Sequence, residues 1–450
     1  MKRFENIENV FFIGIGGIGM SALARYFAHI GKQVSGYDKT PSFLTEKLIN
    51  EGILVQFEDN IENIPFEFQD TSKTLVVFTP AVSTENLLFQ YFEKNRFLLK
   101  KRAAILGEIS SEMKTLAVAG THGKTTTTAI LAHLLAENGV KLTAFLGGIS
   151  ENYQSNVILK GNEVMVVEAD EFDRSFLQLK PDMAAITSMD ADHLDIYGGK
   201  EALLESFSLF ASTVPQEKLF YKNGLPLKGK SIGINEMADF SAENIEIKKG
   251  QYNFSLRTPK DIYGNFEFSL PGKHNLSNAV TALAMAIEYG IPVEKLRISL
   301  ATFEGVERRF TYRIKNEGFV LIDDYAHHPA EITAVANAVK EMYPNRKVLA
   351  VFQPHLFSRT RDFANEFAES LAAFDKVLLL DIYPAREKPI AGINSEMLLH
   401  KIENPHKKLI SKDQLLTEIK ASDCSVVLLM GAGDIGEEAL KITKLLRREN

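Results

Sequence analysis

Six residues constrain this chain more than any others: Gly120-Thr-His-Gly-Lys-Thr125. They sit between TLAVAG, a short apolar run that reads as a buried strand, and TTTTAILAHLLAENG, whose apolar spacing is helical. A strand that turns into a helix through small residues lets backbone N–H groups reach phosphate oxygens. A lysine is needed for the β- and γ-phosphates, and a hydroxyl for a magnesium ion. Gly123, Lys124 and Thr125 supply these parts, and Gly120, Thr121, His122 and Thr126 complete the predicted cradle. The general phosphate-loop pattern places its first glycine at what is Val118 here, so this is a shorter variant. The expectation is an ATP site with Lys124 at the phosphates and Thr125 at the metal.

A second glycine-rich turn, GIGGIGM, lies near the start of the chain. Gly14, Gly16 and Gly19 fit G-x-G-x-x-G between strand-like and helix-like runs, and Asp38 ends the next strand-like run, near where a ribose-binding carboxylate would stand. Such a turn serves NAD, another nucleotide diphosphate, or only a tight strand–helix connection. Glu168-Ala-Asp-Glu171 closes the strand-like VMVV, where an acidic group beside a phosphate loop suits a magnesium ligand. MDADHLDIY follows, with Asp190, Asp192, His193 and Asp195; His193 is a candidate for a second cation or a phosphate contact. Later strand-like runs end in Asp323-Asp-Tyr-Ala-His-His-Pro329, in FQPHLFSRTR with His355, Arg359 and Arg361, and in YPARE with Arg386 and Glu387. Open parallel sheets place ligands at the carboxyl ends of their strands.

The alternation of strand-like and helix-like runs predicts an α/β chain of three domains. The expected bounds are 1–106, 107–309 and 310–450. The first and third read as open parallel α/β units, and the second as a phosphate-loop domain with a parallel sheet. From Ser231 to Leu270 the runs shorten and alternate, as an antiparallel hairpin region would. The 450 residues suffice for several buried cores. A net charge of -7 with no basic block argues against nucleic acid. No apolar run reaches the roughly 20 residues that span a bilayer, and the N-terminus lacks a secretory pattern. A cytoplasmic protein with no membrane partner is expected, as a monomer or weak homodimer. The single cysteine, Cys424, excludes an internal disulfide and reads as a core thiol.

GIGGIGM, GTHGKTTTT, EADEFDRSF, DHLDIY, PGKHN, ERRF, DDYAHHP and FQPHLFSR occur in that order over essentially the whole chain, and the sequence resembles the Mur ligases of peptidoglycan synthesis. GTHGKT with a downstream HN is similar to the family at large; GIGGIGM and DDYAHHP are similar to its alanine-adding branch. The resemblance implies a Rossmann-like first domain, a central ATPase domain and a Rossmann-like C-terminal domain, with ATP-dependent activation of the carboxylate of UDP-N-acetylmuramate as an acyl phosphate, followed by attack of L-alanine. It places Gly16, Gly17, Ile18 and Gly19 at the pyrophosphate of the UDP-sugar, with Asp38, Thr79 and Ala81 near the uridine. It implies catalytic roles for Lys124, Glu168, His193 and Arg359. Thr125 and Glu168 would hold one magnesium ion and His193 a second. Asn275, Arg309 and Asp324 resemble ATP contacts. Tyr325, His328, His355 and Arg359 resemble the amino-acid site, with Arg359 on the alanine carboxylate. His327, His328 and His355 remain open as acceptors of the amine proton. Leu356 stands where some members carry a second basic residue. A sister ligase that adds a preformed peptide to the same UDP-sugar shares this mechanism. A dehydrogenase would leave GTHGKT unexplained, and a non-catalytic nucleotide-binding regulator would bind ATP without forming product.

Overall fold

The computed structural model of the chain describes residues 2–190, 197, 199–248, 250–385 and 387–448. Its strands form three sheets, the cores of three α/β domains. The first holds β1 (Asn9–Ile13), β2 (Gln33–Tyr37), β3 (Leu54–Gln56), β4 (Thr74–Phe78) and β5 (Leu98–Lys101) in the order β3-β2-β1-β4-β5. All its pairings are parallel. Parallel strands must be joined by crossovers; the first is α1 (Ile18–His29), then come α2 (Phe43–Asn50) and α3 (Leu87–Lys94), and α4 (Arg102–Ser110) follows β5. Central β1 reads NVFFI and is buried at every position, as a strand covered on both faces must be. The strand order reverses between β1 and β4, the place where such sheets open a ligand crevice.

The second sheet has ten strands in the order β15-β14-β13-β12-β11-β10-β6-β9-β7-β8. They are β6 (Lys114–Ala119), β7 (Leu142–Ser150), β8 (Ser155–Leu159), β9 (Val164–Glu168), β10 (Met183–Ile186), β11 (Leu219–Lys222), β12 (Lys230–Ile234), β13 (Phe240–Lys248), β14 (Gln251–Arg257) and β15 (Ile262–Phe268). Helix α5 (Lys124–Glu137) follows β6, α6 (Lys200–Ala211) follows β10, and α7 (Lys273–Tyr289) and α8 (Val293–Ala301) follow β15. Residues 125–136 of α5 are all buried, so this helix is a core element with no solvent face. His133 anchors it: its Nε2–H donates to Ser299 O at 3.0 Å, and its Nδ1 faces the Tyr153 hydroxyl at 3.1 Å.

Two details differ from the sequence reading. The hairpin region was expected from Ser231, yet β12 pairs with β13 in parallel, Ile232 against Phe240. Strands β10 to β15 follow one another in chain order across that half of the sheet. An antiparallel pair at the opposite edge, β7 with β8, was not foreseen. Its strands carry small and polar residues such as Ser155 and Asn156, which blur the apolar pattern.

The third sheet runs β16-β17-β21-β18-β19-β20. Its strands are β16 (Thr311–Lys315), β17 (Val320–Asp324), β18 (Val348–Phe352), β19 (Lys376–Leu379), β20 (Lys407–Leu409) and β21 (Val426–Met430). Edge strand β16 is antiparallel to β17, and the other pairings are parallel. The ends of β17, β18 and β19 therefore share one edge, with β21 between the first two. Cys424 is buried in this domain's core, as its apolar context implied.

The chain gathers into two compact units. One comprises Met1–Ile245, Phe254–Glu267 and Ser277–Glu304; the other comprises Glu246–Asn253, Phe268–Leu276 and Gly305–Asn450. The first unit joins the first domain to the central one through α1. Tyr26 packs edge-on against Phe145 of β7 at 5.4 Å. Beside it, fully buried Asn156 of β8 donates to Ile18 O at 2.5 Å and Ser21 Oγ at 2.9 Å, and accepts from Arg25 Nη1 at 2.5 Å. An amide meeting three partners in a dry site leaves them unsatisfied when removed. Asn156→Ala is expected to cost about 1–3 kcal/mol, read as a lower midpoint of chemical denaturation for this unit. No described helix is long and apolar enough to cross a membrane.

Candidate functional site

The loop 120–125 joins β6 to α5 as expected. Gly123 is the N-cap of α5 with φ +84°, a conformation that L side chains rarely adopt. No side chain caps this helix end, so its first amides face outward as an anion cradle. Three residues that the sequence reading did not assign hold the loop in place. Thr187, just after β10, donates to His122 O at 2.5 Å. Ser188 Oγ accepts from His122 N at 2.7 Å and lies 2.9 Å from Thr121 Oγ1. Asn278 of α7 packs against Gly123, where an added Cβ would stand 2.5 Å from Asn278 Oδ1. Their only signal in the sequence is TS after an apolar run and an asparagine inside a helix.

Lys124 donates to Gly120 O at 2.6 Å and lies 2.9 Å from Glu171 Oε1. Burial pulls its pKa down, but the carboxylates of Glu171, Glu168 and Asp170 push harder, and the result is raised. The lysine is thus held as a cation in a nearly dry position. Glu171 itself is buried, and its backbone carbonyl accepts from the Tyr197 hydroxyl at 2.6 Å. Glu168, at the end of β9, accepts from Gly147 N at 3.1 Å. A side chain at position 147 would start 2.1 Å from Glu168 Oε2, so only glycine leaves that carboxylate its place. Thr125 is buried in the first turn of α5. Among the described residues no group of three or more His, Cys, Asp or Glu side chains forms a metal cage. One carboxylate plus one hydroxyl suits magnesium, which keeps waters and takes phosphate oxygens as its other ligands. His193, Asp192, Asp195 and Arg386 lie outside the described residues.

In the first domain, Gly16 N donates to Asp38 Oδ2 at 2.8 Å, and Asp38 Oδ1 accepts from Thr40 N at 3.2 Å. The carboxylate assigned to the nucleoside is therefore also a brace for the glycine turn. Gly17 is the N-cap of α1, again without a side-chain cap, and leads into Ile18 and Gly19. Thr79 Cγ2 borders Gly14, and Thr79 Oγ1 accepts from Ala81 N at 3.5 Å. A cavity of about 110 Å³ runs from Ile18 and Gly19 past Arg102 to Gly147, Glu168 and Asp170. The structure thereby lines one space with both the start of α1 and the carboxylate of Glu168.

The second unit gathers most of the remaining candidates. Tyr325 stacks beneath the guanidinium groups of Arg308 and Arg309, at 5.1 and 5.3 Å, and meets His327 edge-on at 5.2 Å. Arg308 is structural: it reaches Asp323 at 3.3 Å and the Gly433 carbonyl at 3.3 Å. Asp324 accepts from Phe310 N and Ala326 N, both at 2.7 Å, so both its oxygens shape the backbone here. His328 is the N-cap of α9 (Pro329–Met342) in a capping box with Glu331, and its ring packs on Phe363 at 4.8 Å. His327 Nδ1 faces Tyr325 O at 2.9 Å, an arrangement that puts the proton on Nδ1 and leaves Nε2 as the acceptor. His355 stacks on Tyr383 at 5.7 Å and lies 6.1 Å from His327. Leu356 then takes φ +70°, a strained turn that leads into α10 (Phe357–Asp362), the helix of Arg359. Glu387 holds the start of α10 by accepting from Ser358 N at 2.9 Å. Asn275, in the first turn of α7, donates to Pro271 O at 2.7 Å.

Burial raises the Asp324 pKa to about 6, against the pull of Arg309 and the two backbone N–H groups. Burial lowers His327 to about 4, and the charges of Arg359 and Arg309 act in the same direction. The folded state grips the Asp324 proton more tightly than the unfolded chain, so that contribution to stability falls as pH rises from about 4 to 6. For His327 the unfolded chain binds the proton more tightly, so that contribution rises from about pH 4 to 6.5. The two slopes oppose. Relative to the unsubstituted protein, His327→Gln should gain stability toward pH 4 and Asp324→Asn should lose it. Denaturation midpoints across this range measure both.

Comparison with known proteins agrees with this architecture. Three domain models of one family match in order: the Mur ligase family catalytic domain over residues 9–114, the Mur ligase middle domain over 118–286, and the Mur ligase glutamate ligase domain over 308–433. A UDP-N-acetylmuramate–L-alanine ligase of Christiangramia forsetii is 60% identical over 100% of both chains. One from Flavobacterium psychrophilum is 58% identical over 99% of each. The crystal structure of a UDP-N-acetylmuramate–alanine ligase from Thermotoga maritima matches with a TM-score of 0.85 at 26% identity, covering 98% of this chain and 100% of that one. A murein peptide ligase from Psychrobacter arcticus shares the fold, with a TM-score of 0.69 at 21% identity and 98% of both chains covered. With three consecutive domain models and full-length relatives at this identity, the chain belongs to the Mur ligase family.

Proposed function

We propose that this chain joins L-alanine to UDP-N-acetylmuramate, using ATP, in the synthesis of peptidoglycan precursors in the cytoplasm. The observation that carries the reading is a buried, cationic Lys124 at an uncapped helix start, under the charge of Glu168, whose side chain lines one cavity with Ile18 and Gly19 of the first domain. Relatives at 58–60% identity over their full length bear this activity in their names. That supports L-alanine over a preformed peptide as the incoming amine; the likeness to a peptide-adding ligase speaks for the fold alone.

A carboxylate acylates an amine poorly because oxide is its leaving group. In the proposed reaction an oxygen of the acceptor's carboxylate attacks the γ-phosphorus of ATP, the bond to the β-phosphate oxygen breaks, and ADP leaves. Lys124 and the amides of Gly123, Lys124 and Thr125 orient the triphosphate and offset its charge. Gly120, Thr121, His122 and Thr126 complete the loop around it. Thr125 and Glu168 would hold magnesium, which neutralises charge on the phosphate oxygens when bound; His193 is proposed at a second such ion. Gly16 to Gly19 would take the diphosphate of the acceptor, with Asp38, Thr79 and Ala81 toward its nucleoside.

The amine of L-alanine then attacks the acyl carbon, and phosphate departs. The attacking amine must first lose a proton, since free amino groups are mostly protonated near pH 7. His327 is neutral well below that pH and keeps Nε2 as an acceptor. His328 is engaged in capping and ring packing, which favours His327 or His355 for contact with the amine. Arg359 would pair bidentately with the alanine carboxylate, Tyr325 would line that pocket, and Asn275, Arg309 and Asp324 are proposed on the nucleotide side.

The deciding experiment is a coupled assay of ADP release with UDP-N-acetylmuramate, ATP, magnesium and either L-alanine or a murein tripeptide. Turnover with L-alanine alone is expected, and turnover only with the peptide would overturn the reading. Lys124→Ala is expected to abolish ligation while leaving the affinity for the UDP-sugar within about twofold, because the two sites lie in different domains. Arg359→Ala should raise the KM for L-alanine roughly 10- to 100-fold, the range of a lost charge-assisted hydrogen-bond pair, with the KM for ATP nearly unchanged.

A further inference from the structure

Two short stretches inside the match to the middle-domain model, Glu246–Asn253 and Phe268–Leu276, belong with the second compact unit. One side chain ties both to it. Tyr252, near the start of β14, is fully buried. Its hydroxyl accepts from Gly272 N at 3.0 Å and donates to Glu341 Oε2 near the end of α9. Burial and the Glu341 carboxylate push the hydroxyl's pKa well above its ordinary value, so it remains a donor. Gly272 also lies directly on α9: an added Cβ would stand 3.0 Å from Ala338 Cβ, on the turn before Glu341. From Gly272 the chain enters α7, where the Asn275 side chain returns to Pro271 O at 2.7 Å. The asparagine is thus fixed to its loop, and the loop to α9. In its first turn α9 carries Glu331, 3.8 Å from Arg309. About 15 Å of helix separates Glu331 from Glu341.

We propose that Tyr252 is a positioning residue for the nucleotide: it locks the loop 271–275 onto α9, so that Asn275 is held at a set distance from Arg309. The proposal rests on the assignment of Asn275 and Arg309 to the ATP side made above. A loop that must be ordered when its ligand arrives lowers the affinity, and one ordered in advance does not. The hydroxyl of Tyr252 supplies that order through one accepted and one donated hydrogen bond. Phenylalanine at this position would fill nearly the same space and leave the buried Gly272 N–H without its acceptor.

Calorimetric titration of the full-length protein with magnesium and a non-hydrolysable ATP analogue tests this. Tyr252→Phe should weaken the analogue roughly 5- to 30-fold. Its affinity for UDP-N-acetylmuramate should stay within about twofold, showing that it folds. Glu341→Ala should weaken the analogue likewise, and Glu341→Gln, which keeps an acceptor for the hydroxyl, should restore most of the affinity. Because Tyr252 acts through Asn275, adding Tyr252→Phe to Asn275→Ala should cost little beyond Asn275→Ala alone. Unchanged analogue binding by Tyr252→Phe, with only a lower denaturation midpoint, would make the hydroxyl a fold element and overturns the proposal. So do fully additive losses in the double variant. If Tyr252→Phe loses both ligands, the Glu341 variants decide, and equal loss in Ala and Gln overturns it. If Asn275→Ala binds the analogue as tightly as the unsubstituted protein, the assignment of Asn275 falls first and takes this proposal with it, while turnover with L-alanine would still uphold the proposed ligation.

Discussion

The buried charge of Lys124 is the constraint that organises the central domain. An ammonium group in so dry a place is stable only where opposite charge surrounds it. The turn after β9 provides that charge through Glu171, with Glu168 and Asp170 near enough to act on it. Each of these three residues also holds a further group: the Glu168 carboxylate takes the amide of Gly147, the Asp170 carboxylate takes Arg102, and the backbone carbonyl of Glu171 accepts from the Tyr197 hydroxyl. One short acidic turn therefore fixes the lysine, a neighbouring strand and the first domain together. Removing any member alters the field felt by all the others, and its sequence tolerance should be correspondingly narrow.

The parts of the site that were legible in the sequence are those that local geometry writes into consecutive residues. GTHGKT and GIGGIGM are turns whose glycines and lysine are needed at fixed offsets, and both lie where the pattern placed them, between a strand and a helix. The DDYAHHP and FQPHLFSR segments fall at strand ends for the same reason. Thr187, Ser188, Asn278, Gly147 and Arg102 were not legible. Each acts across a tertiary contact, and a serine after an apolar run or a glycine in a strand has many ordinary explanations. The three-domain α/β character could be read from alternating apolar runs, whereas the weak edge strands β8, β16 and β20 could not. The parallel pairing of β12 with β13 was missed because short alternating runs look alike whichever way the neighbour points.

The histidines show why residue type alone left the proton acceptor open. Three of them lie near one another in chain or space, but their surroundings divide the work. His328 is spent on the start of α9. His327 is kept neutral by burial and by arginines, with its tautomer set by a backbone carbonyl. His355 stacks on Tyr383 beside a strained leucine. A basic group that works near neutral pH must first be uncharged, and only the fold decides which imidazole meets that condition.

The Asn156 bridge has a further implication. By pinning the start of α1 to β8, it makes the proposed seat of the sugar nucleotide and the proposed seat of the triphosphate parts of one compact frame. The distance an acceptor must span is then a property of the frame, like the gap of a caliper set once and locked. A sugar nucleotide whose acidic arm is one or two bonds too short or too long would dock and still fail to react. Length, as much as chemical identity, becomes a criterion by which this protein chooses its acceptor.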